Sequence, residues 1–399
     1  MKNLKCVFFF AVAMLFAISA QAQKDEKTVY QITDDIEVPH TIVQNQGQSG
    51  TCWCFAGTGF VEAEILRKYN EKLNLSEMYF VRWAYMQKFN RFIRMHGATN
   101  LSCGGEVFDV LYALDADGMI TDEAYSGIMP GFDKHNHGEL QNVIEGYAKT
   151  VTKKSSGRIL YSAYPKVVES ILDAYLGEVP ATFTYNGKKY HTGSFANQYK
   201  LDINDYVQFA SFNDRPLYKP FVLNIPDNWT NTPSYNMGFD EMMAELDTIL
   251  NKGYTIGWAQ DVSDKGFSRK DGIAIVPDDD VNKIRESDPK RFKKMSDAEI
   301  LEKQYAFEFI IPEKEITAET HQEAFDDWST GDDHSMLIVG IAHDQNGNKY
   351  YKVKNSWGET GPYKGYWYCS EQFVRLHTVF FTVNKEAFSD GMKKNLGIK

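Results

Sequence analysis

The chain has 399 residues, 43% of them hydrophobic and 24% charged. Those are the proportions of an ordinary globular protein, long enough to bury one large core or two smaller ones. The formal net charge is −11 and no run of basic residues is longer than two, which excludes a protein built to hold nucleic acid or anionic lipid.

In chain order, Lys2 and Lys5 precede an apolar run over 7–20 that closes on Ala20-Gln21-Ala22. The run is too short to span a bilayer and ends in a small-residue cleavage pattern, so residues 1–22 read as an export signal. The expected product begins at Gln23, is periplasmic or extracellular, and has no stable membrane insertion. Residues 43–130 read as helical: Phe55, Ala56, Gly59, Phe60, Ala63 and Leu66 recur at helical spacing after Cys52. Gly57 and Gly59 inside that helix each cost about 1 kcal/mol against alanine, so a close-packed neighbour is expected there. Ser76 caps a second helix that carries Glu77 in its first turn and runs through Met78, Tyr79, Trp83 and Met86.

Residues 131–240 are rich in Tyr, Lys and Asn, with helical stretches near Val143 and Val167, and read as an insertion. Within them His135 and His137 flank Asn136 in a polar stretch that reads as a solvated loop, and Asn228-Trp229-Thr230 fits a glycosylation sequon. An amphipathic helix over 239–250 leads to a strand-like segment at 254–258. A dense apolar run follows at 335–342, then the hairpin signal Asn346-Gly347, an alternating strand at 349–354 that should be half-buried, and further strands at 366–369 and 379–383. A helical first half and a β-rich second half predict an α+β protein of two lobes: a helical lobe at 43–130, the insertion, a β-rich lobe at 241–385 and a tail at 386–399.

Beyond the leader stand Cys52, Cys54, Cys103 and Cys369, too few for a disulfide scaffold and without the spacing of a zinc site. The segment Gln46-Gly47-Gln48-Ser49-Gly50-Thr51-Cys52-Trp53 delivers a thiol through a Gly-rich loop to the first turn of a helix. Unpaired N–H groups there lower a thiol pKa and stabilise an oxyanion, to which Gln46 can add a side-chain amide. His334 opens one strand of the predicted hairpin and Asn355 lies just beyond the other, so folding brings base and orienting amide together. Trp357 is placed to shield that pair from water.

These blocks, with Asp333-His334-Ser335-Met336 and Asn355-Ser356-Trp357-Gly358, resemble the three signatures of papain-like cysteine peptidases. The segment Gly253-Tyr254-Thr255-Ile256-Gly257-Trp258-Ala259-Gln260-Asp261-Val262 and Lys364-Gly365-Tyr366 resemble the bleomycin hydrolase/aminopeptidase C branch. The resemblance implies a two-lobed papain-like fold with the cleft between the lobes and catalysis by Cys52, His334, Asn355 and Gln46. It implies substrate contacts at Trp53, Gly104, Gly105 and Trp357, and peptide or protein substrates. It implies no metal and no organic cofactor, and it leaves self-association as a homo-oligomer open. In many relatives a disulfide joins the Ser49 position to about Cys103; Ser49 removes that partner, so Cys103 is expected free and Cys54 a packed core thiol, with a Cys54–Cys103 bridge in an oxidising compartment as the alternative. In the aminopeptidase branch a C-terminal arm lies in the cleft and its carboxylate selects free N-termini. Here the stretch 386–399 is short and Lys-bearing, which predicts an open or partly blocked cleft. An amidase or acyltransferase acting on a non-peptide amide, or a catalytically silent cleft-binding protein, are the alternative readings.

Overall fold

The computed structural model describes residues 29–129, 131–153 and 162–398; residues 1–22, where the export signal is expected, and Lys399 lie outside the described residues. A short strand β1 (Thr33–Glu37) leads into helices α1 (Cys52–Tyr69), α2 (Glu77–Arg94) and α3 (Val107–Asp117). Helices α4 (Gly138–Val151) and α5 (Tyr164–Leu176), a small hairpin of β2 (Phe183–Tyr185) and β3 (Lys188–Tyr190), and α6 (Thr192–Ala196) follow. The chain then alternates: β4 (Tyr206–Ala210), β5 (Pro220–Val222), β6 (Pro233–Asn236), α7 (Phe239–Asn251), β7 (Ile256–Gln260), β8 (Phe267–Ser268) and β9 (Ile273–Ala274). Three short helices, α8 (Val281–Ser287), α9 (Pro289–Phe292) and α10 (Asp297–Lys303), precede α11 (Ala318–Asp326). The last section holds β10 (His334–His343), β11 (Lys349–Lys354), β12 (Tyr366–Ser370), α12 (Glu371–His377), β13 (Thr378–Asn384) and α13 (Asp390–Leu396).

One mixed sheet runs in the order β5-β6-β4-β13-β7-β10-β11-β12-β9-β8, with β1 pairing on β10. Strand β10 lies at its middle, and its alternation shows how the lobes meet. Leu337 and Val339 join the core of the helical lobe with Phe55 and Phe60 of α1. Met336 and Ile338, on the opposite face, join Met242 and Leu246 of α7. The tail helix α13 belongs to that second face, through Met392 and Leu396. Among the described residues no helix is long and apolar enough to cross a membrane.

Local chemistry accounts for the element ends. Ser76 Oγ accepts from the Tyr79 N–H at 3.2 Å and starts α2 as a helix cap should. In the β10–β11 turn Asp344 Oδ1 accepts from Asn346 and Asn348 at 2.8 and 2.9 Å, and Gly347 takes the left-handed conformation with φ +83°.

Two expectations change. Strand β11 is buried on both faces, not half-buried. Tyr351 and Val353 face the α7 core, while Lys352 is covered by β1, where its ammonium meets Asp34 at 2.7 Å and Glu37 at 3.0 Å. The stretch 131–240 is also not one block. Its helices α4 and α5 join the core of the helical lobe, whereas β4, β5 and β6 extend the sheet beyond β13.

The buried charge of Lys354 ties the two lobes together. Its ammonium donates to Thr41 O at 3.1 Å and Thr41 Oγ1 at 3.0 Å. The Thr41 hydroxyl donates to Glu62 of α1 at 2.5 Å, and the other Glu62 oxygen accepts from the Leu75 N–H at 2.7 Å. Burial lowers the Lys354 ammonium and raises the Glu62 carboxyl, and each opposes the shift in the other. Removing one partner of such a set typically costs about 3–5 kcal/mol, because the other charge stays buried.

The α1 glycines meet different neighbours. A Cβ at Gly57 would stand 2.6 Å from Val110 Cγ2 and 2.9 Å from the Val107 carbonyl oxygen of α3. A Cβ at Gly59 would meet the movable tip of Lys354, at 3.1 Å from Nζ, and make ordinary contact with Leu337 Cδ2 at 3.6 Å. Gly57→Ala should therefore lose about 1–2 kcal/mol net of its gain in helix propensity, while Gly59→Ala should stay near neutral. Urea denaturation midpoints of the two variants check this; an equal loss at both positions would contradict it.

Candidate active site

The loop before α1 is shaped from both sides. Gly50 has φ +65°, and a Cβ there would also stand 2.6 Å from Cys103 Sγ, so both conformation and space require glycine. Thr51 Oγ1 lies 2.6 Å from Ser49 Oγ and makes no cap bond to α1. The Cys54 N–H donates to Thr51 O at 2.9 Å, while the Trp53 N–H is one of the groups that hold the Cys52 sulfur. Gln46 is fixed by two contacts to Ser356: its N–H donates to Ser356 O at 2.8 Å, and its Oε1 accepts from Ser356 Oγ at 2.6 Å. The Nε2 end of the amide is left for another acceptor.

Residues 135–137 back this loop. Gln48 N–H donates to His135 O at 2.9 Å, and His137 N–H donates to Gln48 O at 3.1 Å. His135 and His137 are only 8% and 4% exposed, so the solvated-loop expectation is corrected. The His135 ring packs edge-on against Phe55 of α1, which a reading of local polarity could not foresee.

Across the loop, the β10–β11 ladder runs as far as Leu337 opposite Lys354, and the chain beyond brings His334 to Asn355. His334 Nε2 lies 2.9 Å from Asn355 Oδ1. An acceptor at Nε2 places the proton there and leaves Nδ1 as a lone-pair base. The same Oδ1 accepts from the Ser356 N–H at 2.7 Å. The Trp357 ring lies 4.9 Å from the imidazole, and the Arg269 guanidinium sits 4.5 Å over the indole. Burial dominates the electrostatics. It drives His334 down to about 4, with Asn355 opposing and Arg269 adding to the shift. It pushes the Cys52 thiol up to about 12, against the pull of N–H groups at Ser335 and Trp53 and with Asp332 and Asp227 adding to the rise. The helix N-terminus acts in the expected direction, against the effect of burial.

A cavity of about 240 Å³ holds the two groups. Of the residues expected at a site, Cys52, Trp53, Gly104, Gly105 and His334 line it, while Gln46, Asn355 and Trp357 stand behind its walls. Trp53 is 2% exposed and acts as a floor: its Nε1 donates to Cys103 O at 2.9 Å, and a Cβ at Gly105 would stand 3.0 Å from its ring. Cys54 is fully buried, with its Sγ donating to Glu77 O at 3.1 Å, and both Cys54 and Cys103 are free thiols.

Sequence reasoning missed three residues around this cavity. Lys88 is 2% exposed and donates to Ser102 O at 2.9 Å and to Gly104 O, fixing the glycine segment from behind. Its position in the stripe Val81, Tyr85, Lys88, Phe92 was a usable signal for a buried lysine. Asp332 lines the cavity beside His334, and burial raises its carboxyl to about 7. Asp227 also lines it, delivered by the loop that carries the sequon. Asn228 there is 4% exposed and donates its amide to Leu223 O and Thr232 O at 3.1 and 3.0 Å, so in the folded chain it is no glycan acceptor.

A sequence profile of the Peptidase C1-like family matches residues 9–100 and 313–398. The chain is 22% identical over 385 residues to aminopeptidase C of Lactococcus lactis subsp. cremoris, covering 87% of this chain and 81% of that one. It is 24% identical over 389 residues to aminopeptidase C of Listeria innocua serovar 6a, covering 88% and 82%. The crystal structure of pepW from Lactobacillus rhamnosis HN001 superposes with a TM-score of 0.67 at 18% identity, over 92% of this chain and 84% of that one. That superposition establishes the α+β papain-like architecture.

The buried His137 makes the loop acid-sensitive. Burial first, and the charge of His135 second, lower His137 from 6.5 to about 4. As pH falls below 6.5 the unfolded chain takes up the proton before the folded one, so stability is full above that pH and declines toward 4. At about 1.4 kcal/mol per pH unit, the loss is on the order of 3 kcal/mol at the acid end. His137→Leu should flatten the acid limb of a stability–pH profile measured by urea denaturation; an unchanged slope would contradict this account.

Proposed function

We propose that this chain, a papain-like cysteine peptidase related to the aminopeptidase C branch, hydrolyses peptide bonds by a thiolate mechanism centred on Cys52. The observation that carries the reading is one cavity lined by both Cys52 and His334, with His334 Nε2 2.9 Å from Asn355 Oδ1. His334 Nδ1 takes the thiol proton as Cys52 Sγ attacks the scissile carbonyl carbon. The oxyanion is met by the Cys52 N–H and Gln46 Nε2. The imidazolium returns its proton to the leaving amine, a thioester remains on Cys52, and water activated by His334 hydrolyses it to the acid and the free thiol. Asn355 holds the imidazole in the tautomer that makes Nδ1 the base, and Trp357 covers that hydrogen bond. The relatives named as aminopeptidases support peptides as the substrate class. The signal read at residues 1–22 supports a site of action outside the cytoplasm, periplasmic or extracellular.

A variant series tests the assignment. Cys52→Ala should abolish hydrolysis of peptide amides with the fold retained by circular dichroism. His334→Ala should lower kcat/KM by about 100- to 10,000-fold, since it removes the group that moves the proton. Asn355→Ala should cost less, because an unanchored imidazole still visits the productive orientation. Hydrolysis surviving in Cys52→Ala would overturn the mechanism.

A further inference from the structure

The cavity that holds Cys52 and His334 has a one-sided charge. Its acidic lining residues are Asp227, Asp332 and Asp333, of which burial raises Asp332 to about 7 and Asp333 to about 6, and no lysine or arginine lines it. Lys88, behind the glycine pair, is the nearest opposite charge to Asp227, and it is shared with Asp109 and Glu106, which are buried beside it. Such a cavity favours a cation.

Asp227 has the most specific place among the three. A side chain at Gly104 would overlap its carboxylate, so the carboxylate stands directly over the glycine pair, on the path an extended peptide would follow past the cysteine. The Gly104 carbonyl is already taken by Lys88. The loop bearing Asp227 is held rigidly. Trp229 Nε1 donates to Asp109 Oδ2 of α3 at 2.6 Å, the Trp229 ring lies under the Lys88 ammonium at 5.7 Å, and the Asn228 amide bridges the base of the loop. Asn100 Nδ2 donates to Asp227 Oδ1 at 3.1 Å and orients the carboxylate. A carboxylate so fixed needs no reorganisation to receive a charged donor.

The described tail does not offer a competing anchor. It is bound on the face of the sheet opposite α1, where Ser389 N–H donates to Glu245 of α7 at 2.9 Å and Met392 and Leu396 are buried with Met242.

We propose that Asp227 is the specificity-determining carboxylate of this cleft, closing it beyond the glycine pair and binding the free α-ammonium of a peptide so that short N-terminal fragments are released. The inference rests on the peptidase reading and names the substrate end that the site recognises. A basic side chain is the other cation a peptide can offer, and the test separates the two.

The experiment uses the full chain and matched fluorogenic peptides that differ in one feature: free or acetylated amino terminus, and lysine or norleucine before the scissile bond. The Asp227→Asn variant keeps an oxygen for the Asn100 bond, and circular dichroism reports its fold. The native protein should prefer the free amino terminus in kcat/KM, and Asp227→Asn should reduce that preference by about 10- to 100-fold, the weight of one charge-assisted hydrogen bond. In parallel, calorimetry compares binding of the free and acetylated peptides to Cys52→Ala and to Cys52→Ala/Asp227→Asn. Ammonium-dependent binding that Asp227→Asn removes, in a native protein that turns over neither peptide, would sink the peptidase reading and leave standing the assignment of Asp227 as the ammonium-binding carboxylate. An unchanged free-to-acetylated ratio in Asp227→Asn, or a lysine preference that the variant removes in its place, would overturn the inference.

Discussion

The site depends on a charge that the fold has to bury. Lys354 sits one residue before Asn355, and its ammonium reaches across to Thr41 and, through the Thr41 hydroxyl, to Glu62 of α1. The strand that supplies the orienting amide and the helix that supplies the thiol are thus joined by one hydrogen-bonded path. An apolar contact would be satisfied by many registers. A buried ammonium is satisfied by few, because every misplacement leaves it unpaired at a cost of several kcal/mol. Gly59 leaves room for that ammonium on the α1 surface, and Gly57 lets α3 close on the other side. The separation between Cys52 and His334 follows from this packing.

Burial that makes the joint rigid also sets the chemistry. Burial pushes the thiol up and the imidazole down, and the carboxylates of Asp332 and Asp227 add to the rise of the thiol. Amides at Ser335 and Trp53 counter only part of the effect. Reactivity then draws on proton transfer within the pair, where thiolate and imidazolium stabilise each other at contact.

Features encoded within a few residues of one another were readable from the sequence. The Gly-rich approach to Cys52, the His334 and Asn355 ends of one hairpin, the α1 glycines and the α+β division all rest on short-range pattern. What escaped it depends on distant partners. His135 and His137 sit in a polar stretch, yet the Phe55 ring and the Gln48 backbone bury them. Lys352 and Lys354 look like the wet side of a strand, yet β1 and α1 cover them. Asp227 carries no local signal at all, and its place over Gly104 is set by Trp229 reaching Asp109 on a helix more than a hundred positions earlier.

The central claim is that Cys52 is the nucleophile and that His334 makes it one. Alkylation by iodoacetamide, followed by mass-spectrometric mapping of Cys52, Cys54, Cys103 and Cys369, tests it most directly. The account predicts one adduct per chain, on Cys52, with a rate at neutral pH that falls at least about tenfold in His334→Ala as the partner that accepts the thiol proton is lost. Faster labelling of Cys103, or a Cys52 rate indifferent to His334, would contradict it.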